Sequence, residues 1–276
     1  MSLPAPTARG RFAAMVTRPE PEVDLATAAL LIAAEEYPQL VPEPYLRRLD
    51  ELAERVRDRQ WDATAPVVVL QDLSRVLFEE EGFRGNTDSY YDPRNSFLND
   101  VLDRRLGIPI TLSVLYLEVG WRLGLPLHGV NFPGHFLVRY DGEALKLLVD
   151  PFQHGRIRFE DEAQELLDHV YGGSVRMQPD FLRPADRKDI LVRMLENLKG
   201  TYLNARDDAR GLAALERILL ITPDSPDHVR DRGMVLTRMG RGREAAEALS
   251  RYLDLVPDAP DRVRVQLLLG QLNDND

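Results

Sequence analysis

Apolar positions recur with a helical period through the first third of the chain. Leu25, Ala28, Ala29, Ile32 and Ala33 form one stripe that stops before Pro38. Tyr45, Leu49, Leu52 and Val56 form a second between charges, and Val69, Leu70, Leu73, Val76 and Leu77 a third that ends at Glu79-Glu80-Glu81-Gly82. Three helices are predicted over residues 23–84. The acidic run reads as a solvated helix end rather than a cation site. Residues 1–22 carry Pro4, Pro6, Pro19 and Pro21 among Arg9, Arg11 and Arg18, and read as a flexible leader.

The pattern changes over residues 85–175, which read as the core itself, with residues 23–84 as its helical N-terminal segment. Gly85-Asn86 and Asp92-Pro93 punctuate a loop. Ser96 is placed to cap a short helix carrying Phe97, Val101 and Leu102, with Gly107 just past its end. Pro109 suits the first turn of a new helix. That helix is apolar nearly all round, from Ile110 through Leu112, Val114, Leu115, Leu117 and Val119 to Trp121, so it is predicted to be buried. Two strand-like segments follow, His135 to Tyr140 and Leu145 to Asp150, with Asp141-Gly142 as a hairpin signal between them. Gly173, Pro179 and Pro184 mark residues 173–186 as a boundary.

Beyond it the chain repeats itself. Thr222-Pro223-Asp224-Ser225-Pro226-Asp227 returns as Val256-Pro257-Asp258-Ala259-Pro260-Asp261. At the same spacing Ala214, Leu215, Arg217 and Leu219 match Ala248, Leu249, Arg251 and Leu253. A helix–turn–helix unit of about 34 residues with small residues on its second helix and a closing proline resembles the tetratricopeptide repeat. Small residues let the helices approach, and each unit buries its apolar face on the next. Two such repeats, beginning near 190 and 224, and a terminal helix from about 260 to 272 are predicted within a module spanning 187–276.

Composition narrows the class. The 276 residues are 44% hydrophobic and 29% charged, as in an ordinary globular protein. A formal net charge of −10 argues against a broad nucleic-acid surface. The first apolar stretch, Leu25 to Ala34, follows acidic residues and is too short to span a bilayer, so a cytoplasmic protein without a membrane anchor is expected. There are no cysteines, which excludes disulfides, thiolate-held metals and a thiol nucleophile. The five histidines form no His-x-x-x-His pair, so no metal or other cofactor is expected.

The hairpin allows an argument from register. If Tyr140 faces Leu145, His135 sits opposite Asp150; if the turn is Asp141-Gly142 alone, the two meet diagonally. Side chains alternate faces along a strand, so both registers put His135 and Asp150 on one face. A carboxylate beside an imidazole fixes its tautomer and raises its basicity, which is the base-and-orienter half of a nucleophilic triad. A third partner belongs at a helix N-terminus, where the dipole favours developing negative charge, and the helix opening at Gly107-Ile108-Pro109 is the candidate.

These segments carry a resemblance. Gly107-Ile108-Pro109, Leu123-Gly124-Leu125-Pro126, Gly134-His135-Phe136 and Val149-Asp150-Pro151 resemble the transglutaminase-like fold of the papain-type cysteine peptidase superfamily. More narrowly, Tyr90 to Leu98, Gly107 to Ser113, Gly129 to Leu137 and Asp150-Pro151-Phe152 resemble the bacterial SirB1 family, which couples such a core to C-terminal tetratricopeptide repeats. The resemblance implies an α+β fold with a small antiparallel sheet. It also implies His135 and Asp150 at the catalytic histidine and aspartate positions. The place of the cysteine falls near Pro109 or Ile110, so the resemblance supplies no nucleophile.

The expected function is therefore that of a peptide- or protein-binding adaptor rather than an enzyme, with a partner engaged by the cleft and by the repeats. The alternative is acyl transfer or amide hydrolysis through His135 and Asp150, using water or a hydroxyl. Thr111 is the hydroxyl candidate, with Ser113 the next nearest to the helix start. Tyr90, Tyr91, Asn95, Ser96 and Asn131 are the candidate ligand contacts.

Overall fold

A computed structural model describes residues 7–59 and 65–273. It divides into a first unit through Met194 and a second from Leu195. The first unit opens with α1 (Ala8–Val16), α2 (Leu25–Glu36), α3 (Pro42–Arg57) and α4 (Pro66–Ser74), the last running into a π-helical stretch, Arg75–Glu80. The three expected stripes form α2, α3 and α4. The expected leader differs from residue 7 onward. Thr7 accepts a hydrogen bond from the Gly10 amide at the start of α1, and Phe12 and Val16 of that helix are buried. Residues 1–6 of that expectation lie outside the described residues. The acidic run is an ion-paired helix end: Glu80 meets Arg55 and Arg59, and Glu81 meets Arg55 and Arg105.

Next come β1 (Arg84–Gly85), α5 (Leu98–Arg104), β2 (Leu106–Gly107) and α6 (Pro109–Arg122). Ser96 does not cap α5. It ends a 3-10 turn, Pro93–Ser96, and Phe97 occupies the cap position without a side-chain bond. The reversal after α5 is made by Arg105 at φ 60°, not by Gly107, which pairs with Gly85 in a short parallel ladder. Every residue of α6 from Pro109 to Gly120 is buried, as its all-round apolar pattern requires.

The sheet is built from β3 (Leu127–Val130), β4 (Leu137–Asp141), β5 (Lys146–Asp150), β6 (Arg156–Arg158) and, after α7 (Ala163–Tyr171), β7 (Pro184–Ala185). Its order is β6-β5-β4-β3-β7, antiparallel throughout, which bears out the α+β class with a small antiparallel sheet. One face carries Val130, Leu137 and Leu148, which pack with Ala163 and Leu167 of α7. Alternation turns Val138 and Val149 to the other face, and α6 packs on β3 and β4. The expected boundary at 173–186 is instead part of this unit. β7 pairs with β3, Leu182 joins the core beside α7, and the Leu182 carbonyl accepts from Arg139 Nη1 at 2.7 Å.

The second unit takes in the end of α8 (Arg187–Asn204), then α9 (Asp208–Ile221), α10 (Pro226–Arg238), α11 (Gly242–Leu255) and α12 (Arg262–Asn273). The helices fall where the repeat spacing put them. Close approach is visible at Gly233, where an added Cβ would lie 2.7 Å from Leu249. Ala245, Ala248 and Leu215 form one core, and Val229, Leu249 and Tyr252 another. No helix among the described residues is long and apolar enough to cross a membrane.

Candidate functional site

Asp150 does two jobs with one carboxylate. It is the last residue of β5 and caps the 3-10 turn Pro151–Gln153, where Oδ1 accepts from the Phe152 amide at 3.1 Å and the Gln153 amide at 3.2 Å. The same carboxylate receives Nε2 of His135, 2.9 Å from Oδ1 and 3.0 Å from Oδ2. His135 lies not on β4 but in the turn before it, after Gly134, which sits at φ 70°. Only glycine fits that place, because the φ is left-handed and an added Cβ would lie 2.7 Å from Val170 of α7.

The register differs from both expected ones. Tyr140 faces Leu147 and Asp141 faces Lys146, because the Gly142 amide donates to the Leu145 carbonyl and closes a loop over residues 142–145. The shift is an even number of positions, so Asp150 keeps the face it was expected to occupy, and the turn after Gly134 brings His135 onto its carboxylate. An ionised carboxylate only accepts hydrogen bonds. In the neutral imidazole the proton therefore sits on Nε2 and the lone pair on Nδ1, which has no protein hydrogen-bond partner among the described residues.

Phe152 links this pair to the start of α6. Its ring stands edge-on to His135, with centroids 6.1 Å apart, and to Tyr90 at 6.4 Å. A Cβ on Gly85 would overlap the same ring. Gly85 pairs with Gly107, and the Asn86 amide donates to the Gly107 carbonyl at 2.9 Å. The helix opening and the imidazole thus stand on either side of one phenyl ring.

That opening holds no reactive group. Pro109 is the first helical residue, and Ile110 is buried. The Thr111 hydroxyl accepts from the Ile108 amide at 3.1 Å and donates to the Asn95 carbonyl at 2.7 Å. It is fully buried as a helix cap, with its hydroxyl held between two backbone groups, which leaves the weak nucleophile candidate no free hydroxyl. Ser113 is also fully buried, with its hydroxyl 3.4 Å from the Phe136 carbonyl.

The expected ligand contacts separate into two groups. Asn95 is buried and organises its loop: Nδ2 donates to the carbonyls of Ser89 at 2.8 Å and Tyr90 at 3.1 Å, and Oδ1 accepts from Asn86 at 3.0 Å. Ser96 is buried as well. Neither presents a polar group to solvent for a ligand, a correction that follows from the backbone groups this loop must satisfy. Tyr90 and Tyr91 stack edge to face at 5.4 Å and stay accessible, Tyr91 being 70% exposed. Burial of the Tyr90 phenol raises its pKa. Asn131 is exposed on the turn before His135.

A cavity of about 360 Å³ opens between β6 and α7 beside His135 and Asp150. Arg156, Arg158, Glu165 and His169 line it, and none of them was singled out from the sequence. The signals were there: Arg156 and Arg158 alternate with Ile157 immediately after Gly155, and Glu165, Leu166 and His169 have the spacing of one helix face. Among the described residues no cluster of His, Asp and Glu is arranged to hold a metal.

Comparison with known proteins agrees with this geometry. Residues 43–196 match the family model of the transglutaminase-like superfamily, and residues 198–270 match a tetratricopeptide repeat model. A UPF0162 protein of Xylella fastidiosa is 40% identical over 229 residues, covering 82% of each chain. A UPF0162 protein of Pseudomonas aeruginosa is 34% identical over 211 residues, 76% of this chain and 77% of that one. F-box only protein 21 of Homo sapiens is 35% identical over 139 residues, 47% of this chain and 21% of that protein.

Proposed function

Because the chain belongs to the transglutaminase-like superfamily, with tetratricopeptide repeats after that domain, we propose that it is a peptide-binding adaptor in which the cleft at His135 and Asp150 holds an extended segment of a partner protein. Within the superfamily we assign it to the SirB1 type, on the runs Gly129 to Leu137 and Asp150-Pro151-Phe152, and to the cytoplasm. The observation that carries the reading is an oriented imidazole beside an open cleft in a chain with no cysteine. Binding geometry is retained where the nucleophile of thiol chemistry is missing. Phe152 supplies apolar surface next to His135, and Tyr90 and Tyr91 extend it by edge-to-face contacts, as small-ligand and peptide sites require. The repeats add a second surface for the same partner, and linking two weak contacts raises affinity without new chemistry.

The test is selection of a displayed random peptide library on the full chain, repeated with His135→Ala. A sequence motif enriched by the wild type and lost in the variant supports the reading. Equal enrichment by both moves recognition away from the cleft.

A second reading is favoured by one feature, the lone pair left on Nδ1. An imidazole so oriented can take a proton from water, which makes hydrolysis of an amide or ester the alternative. Turnover of a peptide or ester library that disappears in His135→Ala would establish it. Turnover unchanged by that substitution, or absent, removes it.

A further inference from the structure

Arg158 is the most unusual residue near the cleft. It lies on the edge strand β6, opposite Leu148, on the sheet face that carries Asp150 and is covered by α7. Its side chain is only 9% exposed, yet its guanidinium makes no hydrogen bond among the described residues. Nε and Nη1 are shut off from solvent without a hydrogen-bond partner. The nearest carboxylate is Glu165 at 3.7 Å, on a side chain that is 73% exposed and therefore well hydrated. Buried donors left unpaired destabilise the fold unless an acceptor reaches the guanidinium. The group is held at the wall of the cavity that contains His135, Asp150, Arg156 and His169.

The charge of the cavity selects the chemistry of its occupant. The cavity lining holds Arg156 and Arg158, the carboxylates Asp150 and Glu165, and the imidazoles of His135 and His169. Asp150 is already committed to His135 and to two backbone amides, so it does not neutralise Arg158. With neutral imidazoles the two arginines and two carboxylates of the lining cancel, so a single carboxylate is accommodated at less electrostatic cost than a dianionic phosphate, and its planar group matches the guanidinium fork. We infer that Arg158 anchors a carboxylate of the bound peptide, so the cleft selects segments that carry an acidic side chain or end in a free C-terminus. The inference rests on the reading of the cleft as a peptide site.

Three alanine-based heptapeptides with both ends blocked except as stated form the test: one with a central Glu, one with a central Gln, and one with a free C-terminal carboxylate. Binding to the full chain is followed by the arginine Nε–H signals in NMR, with Arg158 assigned by Arg158→Lys. The expected result is saturable binding of at least one carboxylate peptide, at least tenfold tighter than the Gln peptide, with the Arg158 signal shifting. Which carboxylate peptide binds distinguishes a side chain from a chain end. Arg158→Gln removes the preference, and Arg158→Lys keeps part of it; thermal melts show that both variants remain folded. Equal affinity for the Gln peptide overturns the inference and leaves the peptide cleft standing. Failure of all three peptides to bind overturns the inference, while the library selection described above judges the cleft separately.

Discussion

Gly85 lies directly under the ring of Phe152, so that a methyl group at residue 85 would occupy the space of the phenyl. The contact joins the β1–β2 ladder, which fixes the start of α6, to the turn that follows Asp150. Gly85→Ala is expected to cost about 1–3 kcal/mol, the range for forcing an extra carbon into a packed site. Phe152→Ala costs a similar amount by leaving a void. The double variant should be less destabilised than the sum of the two, because each change relieves the other. Urea unfolding of the four proteins checks this, and simple additivity would mean that the ring moves aside freely.

Asp150 and His135 are expected to contribute unequally to stability. Removing the carboxylate leaves two turn amides and the imidazole without their acceptor, whereas removing the imidazole leaves Asp150 still bonded to both amides. Asp150→Ala should cost about 3 kcal/mol and His135→Ala about 1 kcal/mol. Long-range proton–nitrogen NMR spectra of the neutral ring should place the proton on Nε2 in the wild type. A proton on Nδ1 would contradict the role assigned to Asp150.

Thr111 separates a structural hydroxyl from a reactive one. Thr111→Val deletes the acceptor for the Ile108 amide and the donor to the Asn95 carbonyl, both buried, at a cost of about 1–3 kcal/mol. Thr111→Ser keeps both bonds and should unfold within about 1 kcal/mol of the wild type, the difference being one buried methyl. Peptide binding should be the same in the serine variant. Any hydrolytic turnover that survives Thr111→Val excludes this hydroxyl as the nucleophile.

The contrast between these sites shows what a sequence discloses. Helices α2, α3 and α6 follow from their apolar stripes, since burial demands that pattern whatever the neighbours are. The hairpin parity puts Asp150 on the right face despite the register error, but His135 reaches it from a turn outside the strand, which strand alternation does not describe. The bonding partners of Thr111 and Asn95 were not legible. They are set by which backbone groups a folded loop leaves unsatisfied, a tertiary property with no local pattern. Arg158 escaped for a related reason: its importance lies in buried donors without a hydrogen-bond partner, and only the packed structure shows that. The first helix was missed because prolines and arginines masked two buried side chains, Phe12 and Val16.

A buried carboxylate far from any strand gives the chain a pH signature. Glu118 of α6 is buried near the Ala26 amide, one of the N–H groups at the start of α2 without an intrahelical partner, and pairs with Arg122. Burial raises its pKa above the usual glutamate range, and Arg122 opposes the rise without cancelling it. The folded protein therefore holds this proton to higher pH than the unfolded chain does. The stability from Glu118 is complete below the unfolded pKa and is lost as pH climbs through the folded one. Asp100 shifts the same way through burial, and Asp92 shifts the opposite way through its hydrogen bond from Arg94, so the wild-type curve alone is composite. Glu118→Gln keeps the size of the side chain and cannot ionise. The difference in melting temperature between variant and wild type should be flat at low pH. It should then move in favour of the variant as pH rises through the window just above the usual glutamate range. A difference that stays constant across that window would mean that Glu118 ionises as freely in the folded protein as in the unfolded chain.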